Sequence, residues 1–221
     1  MKLLFQAIFK FILGVLMVIL LLFLPAGTFN YWNAWLLMGL LFIPMFTAGI
    51  ILWIKNPELL RKRLNAKEKQ GEQKQVIGMS AIIFLIGFIL AGLDFRNGWS
   101  NMPAWGVATA SVIFVISYIL YAEVLRENTY LSRTIEVQEN QKVIDTGLYG
   151  IVRHPMYFAT TVLFLSFPVV LGSWFSFAIF CFFPLILAKR IKNEEEVLEN
   201  GLEGYKEYKQ KVKYKMIPFV W

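Results

Sequence analysis

The sequence predicts an all-α integral membrane protein of about six transmembrane helices, the last two a short helical hairpin, followed by an amphipathic cytoplasmic helix. Three observations predict it. Of 221 residues, 57% are apolar and only 17% charged, where a water-soluble domain carries about 25%. Mean hydropathy is +0.57. The apolar residues also cluster into runs long enough to cross about 30 Å of hydrocarbon. This composition argues against a disordered chain, a coiled coil or an ordinary soluble enzyme. One cysteine precludes an internal disulfide and one histidine precludes a histidine-rich metal site.

The first run extends from Leu3 to Leu24, diluted by Gln6 and Lys10, and is read as a retained span because no small-residue cleavage site follows it. The second covers Tyr31 to Ile54, the third Val76 to Leu93 and the fourth Pro103 to Tyr121. Met156 to Leu171 and Trp174 to Ala188, interrupted by Pro168 and Pro184, make the hairpin. The division expected is residues 1–125 as a four-helix transmembrane region and 126–221 as the region carrying chemistry.

The connections alternate in charge. Lys55 to Gln75 holds Lys55, Arg61, Lys62, Arg63, Lys67, Lys69 and Lys74. With six spans and the N-terminus inside, every Lys and Arg except Arg96 falls on one side, out of 22. Basic loops stay cytoplasmic, so both termini are expected inside a multi-pass cell-membrane protein, with minimal outer loops. The net charge of +7 is then read as anchoring to anionic membrane lipids. Basic residues interleaved with aromatics, which a nucleic-acid partner would want, are absent from the Lys55–Lys74 loop, so nucleic acid is discarded.

Two segments carry the candidate chemistry. In Gln138 to Tyr157, Val143-Ile144 is β-prone and Asp145-Thr146-Gly147 signals a turn. Arg153-His154-Pro155 then opens the fifth span, proline favouring the first helical turn. The unpaired N–H groups of Met156, Tyr157 and Phe158, with Arg153 beside them, offer an anion site; the alternative is that Arg153 snorkels to lipid phosphates and His154 merely caps the helix. In Lys189 to Glu196, Arg190 and Glu194 are four apart and share a helix face, while Glu195 is rotated about 100° away. One of the three acids is expected to matter and the others to face solvent. Beyond them, Leu198, Leu202, Tyr205, Tyr208 and Val212 form a stripe at helical spacing, either lying on the membrane or folding back on the site.

These residues in order resemble the isoprenylcysteine carboxyl methyltransferases and the related phospholipid methyltransferases. The likeness rests on Gly147, Tyr149, Arg153, His154, Pro155 and Tyr157; on Arg190, Glu194, Glu195 and Leu198; on Tyr205 and Tyr208; and on Ile217, Pro218 and Phe219. It covers about 85 residues, Gln138 onward; the N-terminal half is similar only in being membrane helices. The resemblance implies S-adenosyl-L-methionine as cofactor, contacted by Gln141, Lys142, Val143, Ile144, Tyr149, His154, Pro155, Met156, Tyr157 and Glu194, with Gln138 a looser candidate. It implies Arg190 as the substrate contact, and Arg190 and Glu194 as the catalytic pair. The acceptor it implies is a lipidic or prenylated small molecule; no metal is involved.

Chemistry of the residues runs alongside. A carboxylate acceptor is already nucleophilic at neutral pH and needs only an orienting cation, which Arg190 supplies; an amine needs a base. Arg190 therefore favours a carboxyl acceptor. A phospholipid amine N-methyltransferase, an NADPH-dependent membrane reductase of similar layout and a non-enzymatic membrane protein remain as alternatives.

Overall fold

In the computed structural model, which describes residues 2–65, 71–132 and 134–221, the chain is helical with no strand among the described residues. Lys67 and Lys69 of the basic loop lie outside them. The helices are α1 (Lys2–Ala26), α2 (Trp32–Lys55), α3 (Pro57–Leu64), α4 (Gly71–Asn97), α5 (Ala104–Glu127), α6 (Pro155–Val170), α7 (Trp174–Phe180), α8 (Phe183–Gly201) and α9 (Tyr205–Lys211). Five segments are long and apolar enough to cross a membrane, α7 and α8 counting as one; α6 is shorter.

Helix α4 is the central post. It packs against α1, α7 and α8, while α5 lies along α6. Two glycines permit the close approaches. A Cβ on Gly87 would sit 2.4 Å from the Phe180 ring, and one on Gly92 2.6 Å from the Leu22 carbonyl oxygen of α1. Around Gly87, Phe84, Phe88, Phe164, Phe167, Phe180 and Phe183 meet edge-on or stacked with centroids 4.7–6.1 Å apart, the arrangement aromatic quadrupoles favour. One core cluster holds residues from Val18 to Met216, so it crosses residue 125 without a break. The opposite faces of the helices leave leucine, isoleucine, phenylalanine and tryptophan exposed, as hydrocarbon-facing surfaces require.

Several elements differ from the sequence reading. The basic loop contains α3, started by Pro57, capped by the Asn56 side chain accepting from the Leu59 N–H, and closed by Lys10 Nζ donating to Leu64 O at 2.6 Å. The last span breaks at Cys181-Phe182, and α8 runs to Gly201, well past Ala188. Pro184 therefore sits in the first turn of α8, where it costs no hydrogen bond. The tail is not one amphipathic helix. Gly204, at φ +81°, turns the chain between α8 and α9, and Leu202, Tyr205, Tyr208 and Val212 pack inward on Leu198, Val137 and Val143. Of the two readings of the stripe, folding back is the one observed.

The charge-poor end is clasped by a polar network. Asp94, at the end of α4, accepts from the N–H and hydroxyl of Ser100 at 2.7 and 2.6 Å and from the Ser173 hydroxyl. Tyr31 donates to Leu171 O at 2.7 Å and Asn33 to Val170 O at 2.8 Å. These five side chains tie loops to helix ends.

Candidate functional site

At the basic end, the neighbouring turns of α6 and α8 and the chain after α5 enclose a cavity of about 840 Å³, measured to its open mouth. Gln141, Lys142, Val143, Ile144, Tyr149, His154, Met156, Tyr157, Arg190 and Glu194 all line it. Two of the sequence candidates do not. Pro155 starts α6 and acts through geometry. Gln138 instead receives Lys62 Nζ at 2.6 Å on its side-chain oxygen and donates to Tyr130 O.

The cavity's upper edge is set by Gly147. Its φ of +50° opens a short 3-10 turn, and a Cβ there would sit 2.1 Å from the Glu127 carboxylate. That carboxylate accepts from Thr146 Oγ1 at 3.0 Å and Leu148 N at 3.2 Å, which fixes the loop carrying Tyr149 onto the end of α5. Tyr149 accepts from Asn128 Nδ2 at 3.0 Å, and its carbonyl receives the Tyr208 hydroxyl at 2.8 Å. Burial pushes the phenols of Tyr149 and Tyr208 well above the ordinary value, so both stay protonated.

The floor is a hydrogen-bonded chain. Arg190 Nε donates to the Tyr157 hydroxyl at 2.9 Å, and that hydroxyl donates to Glu194. Arg190 and Glu194 thus share one face of α8 as their spacing predicts, joined through a tyrosine from α6. Arg190 Nη1 also donates at 3.0 Å to Gln73, a fully buried amide at the start of α4. Gln73 in turn donates to Asn193 at 2.8 Å, and Lys189 reaches Gln75 at 3.2 Å. The start of α4 therefore laces along α8 and holds the guanidinium in one orientation.

Two expectations are corrected here. Arg153 does not stand ready for an anion. It is 5% exposed, and its guanidinium donates to Glu195 at 2.7 Å and to the carbonyls of Val212 and Lys213 at 2.7 and 2.8 Å. The N–H groups of Tyr157 and Phe158 turn back to the His154 carbonyl, at 3.1 and 3.3 Å. A buried guanidinium needs a counter-charge and several acceptors; Glu195 of α8 supplies the charge and the tail carbonyls supply the acceptors, so Arg153 ties the tail to α6 and α8. Glu195, in its turn, does not face solvent. It is 4% exposed, accepts from Arg153, lies 3.3 Å from His154 Nε2, and has Lys209 and Lys215 at 3.7 Å. Only Glu196 of the three acids is exposed.

The tail completes the enclosure. The backbone N–H groups of Arg153 and His154 donate to Tyr214 O at 2.9 Å and Lys215 O at 2.7 Å, so residues after α9 strap the mouth of α6. Sequence reasoning missed a whole wall, Asn128 to Glu136, from which Tyr130, Ser132 and Thr134 line the cavity. It has neither periodicity nor a charge pattern; a polar, aromatic-bearing stretch directly after a span was its only signal.

The fold and site define a class: a multi-pass membrane protein with one polar-floored cavity where its helices end. Comparison narrows the class. Residues 102–203 match the phospholipid methyltransferase family, the family of membrane methyltransferases similar to the isoprenylcysteine carboxyl methyltransferases. Individual relatives are distant. The chain is 25% identical over 91 residues to a Delta(14)-sterol reductase of Mus musculus, across 40% of this chain and 22% of that one. It is 21% identical over 136 residues to the Delta(14)-sterol reductase of Methylotuvimicrobium alcaliphilum, across 55% and 32%. It is 21% identical over 166 residues to the uncharacterized YpbQ of Bacillus subtilis, across 75% and 96%. The chain thus spans under a third of the length of either reductase.

Proposed function

We propose that this protein transfers a methyl group from S-adenosylmethionine to the carboxylate of a lipidic acceptor, at the cytoplasmic face of the cell membrane, with the basic end inside. The observation that carries the reading is the Arg190–Tyr157–Glu194 chain on the floor of the cavity, built by helices of the family-matched segment. The cavity fits an S-adenosyl nucleoside on its own terms. It has apolar and aromatic walls at Leu198, Leu202 and Tyr208 and a carboxylate at Glu194.

When bound, the sulfonium supplies an electrophilic methyl group and departs as a neutral thioether. The chain's own residues then have three tasks. Glu194, held by Tyr157, accepts from the donor-bearing ribose or ammonium groups. Arg190, held by Gln73 and Tyr157, orients an anionic headgroup; a carboxylate becomes an ester without releasing a proton, so no base is required. Tyr149, His154, Met156 and the folded-back tail exclude water. A hydrocarbon tail on the acceptor stays in the bilayer beside the exposed apolar helix faces.

A phospholipid amine acceptor is the second reading, favoured by the family's description, and Glu194 is the group placed to take its proton. Methyl-labelled cofactor, pure protein and extracted lipids separate the two. A carboxyl acceptor gives label released by mild base as methanol; an amine gives base-stable label. The sterol reductase relatives define a third outcome. Calorimetric binding of NADPH with no binding of S-adenosylhomocysteine overturns the methyltransferase reading.

A further inference from the structure

We infer that the turn after α9, Ile217 to Trp221, is a membrane-binding tip that enters the headgroup–acyl boundary of the bilayer on the basic side of the molecule, beside the mouth of α6. Ile217, Pro218 and Phe219 were singled out in the sequence, yet none of them lines the cavity. The inference needs only the membrane-spanning fold and stands apart from the methyltransferase reading.

Three observations support it. The first is an apolar tip left uncovered. Phe219 is 86% and Val220 75% exposed, and Ile217 and Trp221 are exposed beside them. Phe219 is the most exposed large apolar side chain among the described residues, its ring beside that of Tyr214 with centroids 5.4 Å apart. Water makes such a patch costly, whereas a lipid boundary makes it a source of binding energy.

The second is depth. The strap passes the mouth of α6 at Tyr214 and Lys215 and then turns toward the helical bundle. Met216 is buried in the core shared by the long helices, not in the cluster that packs the rest of the tail. Its Sδ lies 3.7 Å from Oγ1 of Thr161, in the second turn of α6, one helical pitch, about 5 Å, beyond the mouth. Helix α6 in turn lies along α5, a segment long and apolar enough to span. The residues that follow Met216 therefore sit at the level where the spans enter the bilayer.

The third is how the turn is made. The N–H groups of Met216 and Ile217 both donate to Trp221 O at 2.9 Å, and those of Val220 and Trp221 donate to Ile217 O at 3.2 and 3.0 Å. Pro218 has no N–H to satisfy. A turn that pairs its own backbone groups presents mainly side chains outward, as contact with lipid demands. Lys215 holds its Nζ 5.2 Å from the centre of the Trp221 ring, and Lys213 is exposed two residues before it. Ammonium groups flanking an aromatic and aliphatic tip suit an interface, with the cations among phosphates and the apolar groups about 5–10 Å below. The partner is a lipid surface, because the neighbouring spans already fix a bilayer at this level.

The experiment reads depth, using the full chain in nanodiscs of phosphatidylcholine and phosphatidylglycerol. A nitroxide is attached at Phe219→Cys in a Cys181→Ser background. Its collision rates are measured with molecular oxygen, which concentrates in hydrocarbon, and with a water-soluble nickel chelate. A label on the native Cys181, exposed at the break in the last span, gives the lipid reference, and one at Lys206→Cys on α9 gives the aqueous reference. The expected oxygen-to-nickel ratio at position 219 is several-fold above that at 206 and approaches that at 181. A ratio equal to that at 206 overturns the inference. Shielding from both reagents overturns it too, since that places the tip against protein, such as a second copy of the chain. Val220→Cys gives a second reading from the adjacent side chain should Phe219→Cys melt below the wild type.

Discussion

The two ends of the helical bundle both bury polar side chains, but they do so on opposite terms. At the charge-poor end, Asp94, Ser100, Ser173, Tyr31 and Asn33 bond to one another and to helix-end carbonyls, and their capacity is spent inside the protein. At the basic end, Arg190, Tyr157 and Glu194 are just as connected, but they border a cavity. Burial of polar groups therefore does not by itself mark a site. Ser176 underlines this: its buried hydroxyl has no partner among the described residues, yet it does not line the cavity. An open space bordered by the polar groups is what separates the cavity-bearing end from the fastened one.

The comparison can be broken most forcefully at Arg153. Arg153→Ala leaves Glu195 buried without its main partner and unties the tail from α6, at a cost of about 3–5 kcal/mol; size-exclusion and thermal-melting profiles should show mostly unfolded protein. Next comes Arg190→Ala, in which turnover should fall about 100-fold or more, as for loss of an orienting charged donor, while S-adenosylhomocysteine affinity stays within about threefold. Equal loss of both would make Arg190 a cofactor contact instead. Asp94→Ala tests the fastened end. It strands the Ser100 and Ser173 donors and should cost about 1–3 kcal/mol, with ligand affinity unchanged; an altered affinity would show that the ends communicate. Tyr208→Phe should cost about 1 kcal/mol through the lost bond to Tyr149 O, lowering the melting temperature. The smallest effect is expected at the exposed Lys211–Asp145 pair. Hydrogen bonding to Lys211 depresses the Asp145 carboxyl, so any contribution is present above its ordinary range near pH 4 and lost as pH falls through it. Melting of Asp145→Asn at pH 7 should match the wild type closely.

Much of the fold was legible because hydrocarbon imposes a length and a composition on every span. The four long runs came within a few residues of α1, α2, α4 and α5 for that reason. The end of α8 was not legible, since past Ala188 the helix leaves the apolar regime and Lys189 to Glu196 reads equally well as a loop or a surface helix. In the site, Arg190 and Glu194 were readable as a pair because four residues make one helical turn. Arg153 was misread because its partners lie far along the chain, at Glu195 and at the Val212 and Lys213 carbonyls, and local spacing contains no trace of them. Glu195 fell with it. Gln73 was invisible as a contact for Arg190, being an ordinary polar residue at the edge of a span, 117 positions away.

The strap that runs from α9 across the mouth of α6 sets an order of events in the making of the protein. Residues after 203 supply Tyr205, Tyr208 and the Tyr214 and Lys215 carbonyls, and they leave the ribosome only after α1 to α8 have been made. A nascent chain threaded through the bilayer up to α8 has its floor of Arg190, Tyr157 and Glu194 but an open side where the tail belongs. The cavity is therefore walled in only after the helices that floor it, and on the proposed reading ligand affinity reports whether the tail has folded back onto α6.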